Sequence, residues 1–212
     1  VTLEMMVKGN YITPTINGEF YYNKPPLFNW ILAGFAYLTG NLNEVIFRLP
    51  TVISLLLFAL AIFLIGKKEI GKTNAAIAGL MFVTSSRILF WDSFQGLIDI
   101  TYSLVTFCSF AALYVFSEKR KFLLLFAVSY LLTAIGYLMK GLPSLAFQAI
   151  SVVVWLGFIK EIRKLFSWQH LVGIGVFLLV TGLYYYAYLQ TNSLQDVFST
   201  LFDQSNRIKD KE

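Results

Sequence analysis

Apolar residues run along this chain in long blocks separated by short polar turns. Six blocks, near 46–66, 74–91, 98–117, 122–139, 143–159 and 170–189, read as long and apolar enough to span a bilayer, which needs about 20 residues per helix. A seventh, at 25–39, is shorter and is not expected to span. The pattern predicts an all-α, polytopic helical membrane protein. Local signals place the ends of the short block. Asn23 is a suitable N-cap, Pro25 and Pro26 suit a first helical turn that has no use for their missing N–H groups, and Gly40 followed by Asn41 closes the helix. Upstream, "TPTING" predicts a turn through Pro14 and Asn17-Gly18.

The charges between the blocks orient them. Lys67, Lys68 and Lys72 follow the first span, Lys119, Arg120 and Lys121 the third, and Lys160, Arg163 and Lys164 the fifth. These alternate loops hold nine of the 17 basic residues, which predicts that they face the cytoplasm. Loops 92–97 and 140–142 then face outward with both ends of the chain. The helix at 25–39 begins and ends outside, as an extracytoplasmic juxtamembrane helix. The expected organisation is an outer segment at 1–45, six transmembrane helices within 46–190, and the start of an outer loop at 191–212. The opening on Val1 and the polar close "SNRIKDKE" fit a portion of a longer chain.

Composition agrees with a lipid environment: 57% of residues are hydrophobic and 14% charged, more apolar surface than a soluble domain can bury. The net charge of +5 does not point to nucleic acid, because the cations sit between hydrophobic runs. Cys108 is the single cysteine, so neither an intrachain disulfide nor a cysteine metal site is expected.

Polar groups near lipid are costly, so their placement carries information. Lys24, Arg48, Asp92, Asp99, Lys140 and Arg207 all fall at outward helix ends or in outward loops. Four cations and two carboxylates at headgroup depth, beside a tyrosine-rich stretch, suit an anionic lipid headgroup. Lysine supplies a point charge and arginine a bidentate fork. Each residue also has an ordinary structural reading. Lys24 and Arg48 can snorkel, Asp99 can cap a helix, Lys140-Gly141 can end one, and Pro50 and Pro143 can start one. Arg87 reads as a snorkelling or ion-paired residue and His170 as interfacial. "GKKEIGKT" at 66–73 is not a phosphate loop, since it lacks the first glycine at the required spacing and follows no strand.

Four strings occur in order: "NGEFYYNKPPLFNWILAGFAYLTG", "EVIFRLPTVIS", "LIDITYSL" and "YLMKGLPSL". Together they resemble the polyprenyl-phosphate-dependent GT-C glycosyltransferases, most closely the aminoarabinose transferase and protein mannosyltransferase-like group. The likeness covers nearly the whole chain, as the N-terminal transmembrane module of a longer enzyme. It implies an inverting transferase that moves a sugar from a polyprenyl-phosphate lipid to a lipid, glycan or protein acceptor outside the cytoplasm. The implied location is a bacterial inner membrane, with cell-envelope work such as lipid A modification. It further implies Lys24, Lys140 and Arg207 as ligands of the donor phosphate, Tyr21 as a pocket residue, and Asp99 as an acidic residue of the catalytic site. No cofactor is expected beyond the lipid-linked sugar itself. The family's leading acid, from an Asp-Glu pair upstream of the counterpart of Glu4-Met5, is not within these residues. Asn23 and Phe202 stand near positions where relatives carry a glutamate and a histidine, so no metal is expected from that pair. The competing reading is a non-catalytic polyprenyl-phosphate-binding module or a lipid-linked-sugar transporter. Transporters place charges near the midplane and show inverted repeats, whereas here the charges gather at one face and no repeat is visible.

Overall fold

The computed structural model describes residues 1–21 and 24–193. A short helix α1 (Thr2–Lys8) leads into a hairpin of β1 (Thr15–Ile16) and β2 (Glu19–Phe20). The helices that follow are α2 (Leu27–Thr39), α3 (Glu44–Glu69), α4 (Lys72–Thr84), α5 (Ile98–Glu118), α6 (Phe122–Lys140), α7 (Pro143–Phe158) and α8 (Trp168–Leu189). A π-helical segment, Arg87–Ser93, follows α4, and a 3-10 turn, Ile162–Phe166, precedes α8. The protein is all-α apart from the hairpin, and polytopic.

Among the described residues, α3, α5, α6 and α8 are long and apolar enough to cross a membrane. The predicted span at 74–91 is instead a bent pair, α4 and the π segment, which turn 48° on one another. The break falls at Ser85. Thr84 Oγ1 donates to the Leu80 carbonyl at 2.9 Å, and Ser85 takes an extended ψ of 124°. α7 is 16 residues, about 24 Å at 1.5 Å per residue, short of a bilayer's hydrocarbon thickness.

The proline expectations divide. Pro143 starts α7. Pro50 starts nothing. It lies inside α3, because Asn43 already caps that helix by accepting the Ile46 N–H at 3.0 Å. Pro25 and Pro26 precede α2 rather than forming its first turn. Pro26 is the N-cap, and its carbonyl accepts from Trp30 N–H at 3.0 Å. The predicted cap, Asn23, lies outside the described residues. Gly40 ends α2 in the left-handed conformation (φ 63°), as expected.

Helices consecutive in the chain reverse direction, while α6 and α8, which pack together, run parallel; the bundle has two chemically different ends. One end carries the start of α3, the π segment, the start of α5, the end of α6 and the end of α8. The opposite end carries all nine basic residues of the alternate loops, tied by Lys68 to Glu118 (2.6 Å), Arg120 to Glu161, and Tyr114 to Glu69. His170 lies here too, on the first turn of α8. Its Nδ1–H donates to the Leu165 carbonyl (2.6 Å), which leaves Nε2 to accept from the Tyr130 hydroxyl (2.6 Å). The residue is a structural link at the bundle's edge, in line with its interfacial reading.

Inside, α5, α6 and α7 share a closed polar network. Ser109 donates to Gln148 Oε1 (3.0 Å), and Gln148 Nε2 donates to Ser129 Oγ (3.0 Å), all buried. Such interhelical bonds hold helix register where apolar contacts alone are permissive. Beside it, Leu113, Leu125, Phe126, Val152 and Leu156 form an apolar core.

Candidate functional site

The N-terminal segment forms a platform at the first end. Its hairpin needs a two-residue turn, and Asn17 (φ 53°) and Gly18 (φ 86°) supply the two left-handed residues of the type that matches strand twist. Glu4 of α1 holds that turn. It accepts from Thr15 Oγ1 (2.7 Å) and from the Asn17 and Gly18 amides (2.5 and 3.3 Å), with Lys8 Nζ at 3.4 Å. The Thr15 hydroxyl, and then those amides, pull the carboxyl from 4.5 down to about 2. A depressed carboxyl stabilises the fold above its unfolded value, and the contribution fades as pH falls from about 4.5 through about 2. The Gly18 amide resonance should therefore titrate with a midpoint near pH 2, and Glu4→Gln should remove the titration and loosen the turn. A midpoint near 4.5 would contradict the assignment.

The platform docks on the bundle through named bonds. Trp30 Nε1 donates to the Tyr11 carbonyl (2.6 Å), Thr2 donates to Asn29 (3.0 Å), and Asn192 Nδ2 donates to Thr13 (2.6 Å). Phe28, on the first turn of α2, is buried against Ile98, Tyr102 and Met139. Ile98 and Met139 are the chain neighbours of Asp99 and Lys140. The start of α2 is thus seated directly over the start of α5 and the end of α6.

There the structure brings together two of the predicted residues. Lys140 Nζ contacts Asp99 Oδ1 at 2.5 Å, joining the last residue of α6 to the first turn of α5. Asp99 is not the N-cap of α5, which is Leu97, so its carboxylate is free of that duty. Both charges suit their places, an acid at a helix N-terminus and a base at a C-terminus. The Lys140 ammonium also lies 5.0 Å from the Tyr102 ring centre, and Tyr102 accepts from Ser144 Oγ at 3.3 Å. Asp99 is 45% exposed and Lys140 30%, so the pair is open at one side.

Asp99 also lines a cavity of about 290 Å³, with Phe58, Phe82, Arg87, Asp92 and Ser103 among others. Its lining combines apolar side chains with one cation and two carboxylates. The bend after α4 delivers two of these, since it turns Arg87 and Asp92 of the π segment toward α5. Single-turn π elements are rare and concentrate at functional sites. Arg87 was read from the sequence as snorkelling or ion-paired. Its place on the cavity wall depends on the unexpected break at Ser85.

The remaining predicted residues fall around this centre. Tyr21 is half-buried, its amide bonded to the Pro14 carbonyl (2.8 Å). Lys24, also half-buried, makes no ion pair with any described residue. It is four positions before Phe28, which limits the Cα separation to about 14 Å. Arg48 pairs with Glu44 on its own helix (2.8 Å) and stacks its guanidinium 4.5 Å from the Phe94 ring, bracing the loop that leads into α5. Arg207 lies outside the described residues.

Comparison with known proteins agrees with this architecture. The sequence pattern of the dolichyl-phosphate-mannose-protein mannosyltransferase family matches residues 23–186. An undecaprenyl phosphate-alpha-4-amino-4-deoxy-L-arabinose arabinosyl transferase from Edwardsiella ictaluri is 22% identical over 84% of this chain and 33% of its own length. A second such transferase, from Proteus mirabilis, is 27% identical over 72% of this chain and 28% of its own. An uncharacterized protein from Aquifex aeolicus is 24% identical over 87% of this chain and 37% of its own. The chain thus spans about a third of the length of the curated relatives it matches. In fold, it superimposes on ArnT from Cupriavidus metallidurans bound to undecaprenyl phosphate with a TM-score of 0.76 at 23% identity, over 91% of this chain and 36% of that one. The apo form of the same protein gives 0.72 at 24% identity, over the same shares. The chain belongs to the dolichyl-phosphate-mannose-protein mannosyltransferase family, in the GT-C group that also holds the aminoarabinose transferases.

Proposed function

We propose that this chain is the donor-binding transmembrane portion of an integral-membrane glycosyltransferase. It moves a sugar from a polyprenyl-phosphate lipid to a lipid, glycan or protein acceptor on the extracytoplasmic face of a bacterial inner membrane. The observation that carries the reading is the Asp99–Lys140 pair, whose carboxylate lines a mixed-polarity cavity at the end where α2 begins. The family and the lipid phosphate named in the ArnT complex support the donor class. The basic loops at the opposite end support the orientation.

The chemistry follows from the leaving group. An acceptor oxygen or nitrogen attacks the anomeric carbon, the bond from that carbon to the phosphate oxygen breaks, and negative charge collects on the lipid phosphate. Lys24, Lys140 and Arg207 meet that charge, and stabilising it where it develops lowers the barrier. Asp99 has two parts. It holds Lys140 in place before the donor arrives, and its carboxylate then orients the acceptor and accepts its proton. Tyr21 borders the same space. Inversion at the anomeric carbon belongs to this proposal, as the outcome of a single displacement.

Lys24→Ala tests the donor site. Donor KM in the intact protein should rise by roughly tenfold or more, the loss of one charge-assisted contact of about 1.5–3 kcal/mol. Unchanged KM and turnover in a protein that still reaches the membrane would remove Lys24 from the site.

A further inference from the structure

We propose that the opposite, basic end of the bundle carries a groove for an anionic glycerophospholipid of the leaflet it faces. The groove is separate from the charged cavity at the first end and does not depend on the transferase reading. It begins as a trough of about 470 Å³, with α5 as its floor and α3 and α7 as its flanks, lined by Ile65, Phe107, Phe110, Ile150 and Val154. Tyr114 and Trp155 also line it, and both line a second space of about 350 Å³ nearer the helix ends. There the lining changes to Ser117, Glu118 and Arg120.

The sequence of surfaces along this path is that of a lipid: an apolar bed, an aromatic belt and a charged mouth. Trp155 donates its indole N–H to Ser117 Oγ (3.0 Å) and Tyr114 turns its hydroxyl to Glu69, so the polar edges of both rings point to the charged end. Amphipathic rings take this posture at headgroup depth. The charge around the mouth selects the headgroup. Arg120 lines it, and this end of the bundle holds nine cations against three carboxylates, Glu69, Glu118 and Glu161, all three already engaged. Lys119 and Lys121 flank Arg120 without a carboxylate partner among the described residues. An acyl chain takes the trough, and the phosphate takes the mouth.

The test uses the intact protein extracted in mild detergent. Native mass spectrometry should find a retained anionic phospholipid. After delipidation, phosphatidylglycerol should raise the melting temperature and phosphatidylcholine should not. Val154→Trp and Ile150→Trp, both at exposed positions in the trough, should lose the retained lipid, while Ile77→Trp, on an exposed face elsewhere, should keep it. Lys119→Gln with Lys121→Gln should keep a lipid but lose the preference for phosphatidylglycerol. Equal stabilisation by both lipids would overturn the proposal. So would retention of lipid in both trough variants, recovery of polyprenyl phosphate alone, or a wild type that retains no lipid because another segment of the protein fills the trough. Sugar transfer is not the readout, so this result and the transferase result separate.

Discussion

Asp99→Asn is expected to lower sugar transfer by roughly 10²–10⁴-fold, the range of a lost general base. The substitution keeps size and leaves an oxygen to accept from Lys140, so the α5–α6 junction stays in place. What it removes is the negative charge. Lys140, 30% exposed, is left without its counterion, and the acceptor loses the Asp99 carboxylate. The effect should fall on kcat, with donor KM near that of the wild type, because the cations that meet the phosphate are untouched. Lys140→Met should do the reverse in part, raising donor KM as well as lowering turnover. Near-normal kcat in Asp99→Asn, with normal membrane expression, would show that the pair at this junction is a structural clasp only.

The second large effect is on the fold. A Cβ built on Gly173 of α8 would lie 2.8 Å from Tyr130 Cδ2, 2.9 Å from Phe126 Cβ and 3.1 Å from the Phe126 backbone carbon. None of these can swing aside. Phe126 is fully buried, and the Tyr130 hydroxyl is tied to His170 on α8 itself. Gly173→Ala gains roughly 1 kcal/mol of helix propensity. It meets an overpacking cost of about 1–3 kcal/mol, because the neighbours are close to backbone. The net expectation is destabilisation, and Gly173→Leu should prevent α8 from docking. Gly175→Ala is the control, since nothing lies within 4 Å of its added Cβ. Melting curves of the intact protein in detergent decide it, and a Gly173→Ala protein as stable as Gly175→Ala would refute the close-packing account.

The helices were legible because lipid leaves few alternatives to a long apolar run. The predicted 98–117 and 122–139 became Ile98–Glu118 and Phe122–Lys140. The interruptions were less legible, since each depends on a local competition. Ser85 leaves helical geometry within a run that hydropathy reads as continuous, and Asn43 starts α3 ahead of a proline that reads as its beginning. The site was half legible. That Asp99 and Lys140 share one end follows from counting spans. That they touch follows from the register of α5 on α6, which no single sequence displays. The place of Arg87 at the cavity was not legible, because only the bend brings it there. Glu4 showed only an i,i+4 pairing with Lys8 and nothing of its part in the turn. Its partners there are 11 to 14 residues downstream, and the Asn-Gly turn reads as self-sufficient without it.

The central claim is that the charged end is a site where a polyprenyl-phosphate sugar gives up its sugar. The most direct measurement is the release of free polyprenyl phosphate from a labelled polyprenyl-phosphate sugar by the intact protein in lipid nanodiscs. The assay is run with and without an envelope-lipid acceptor fraction, beside the Asp99→Asn variant. The account predicts acceptor-dependent release by the wild type and almost none by Asp99→Asn. Donor that binds but is never cleaved, or release that persists unchanged in Asp99→Asn, would contradict it.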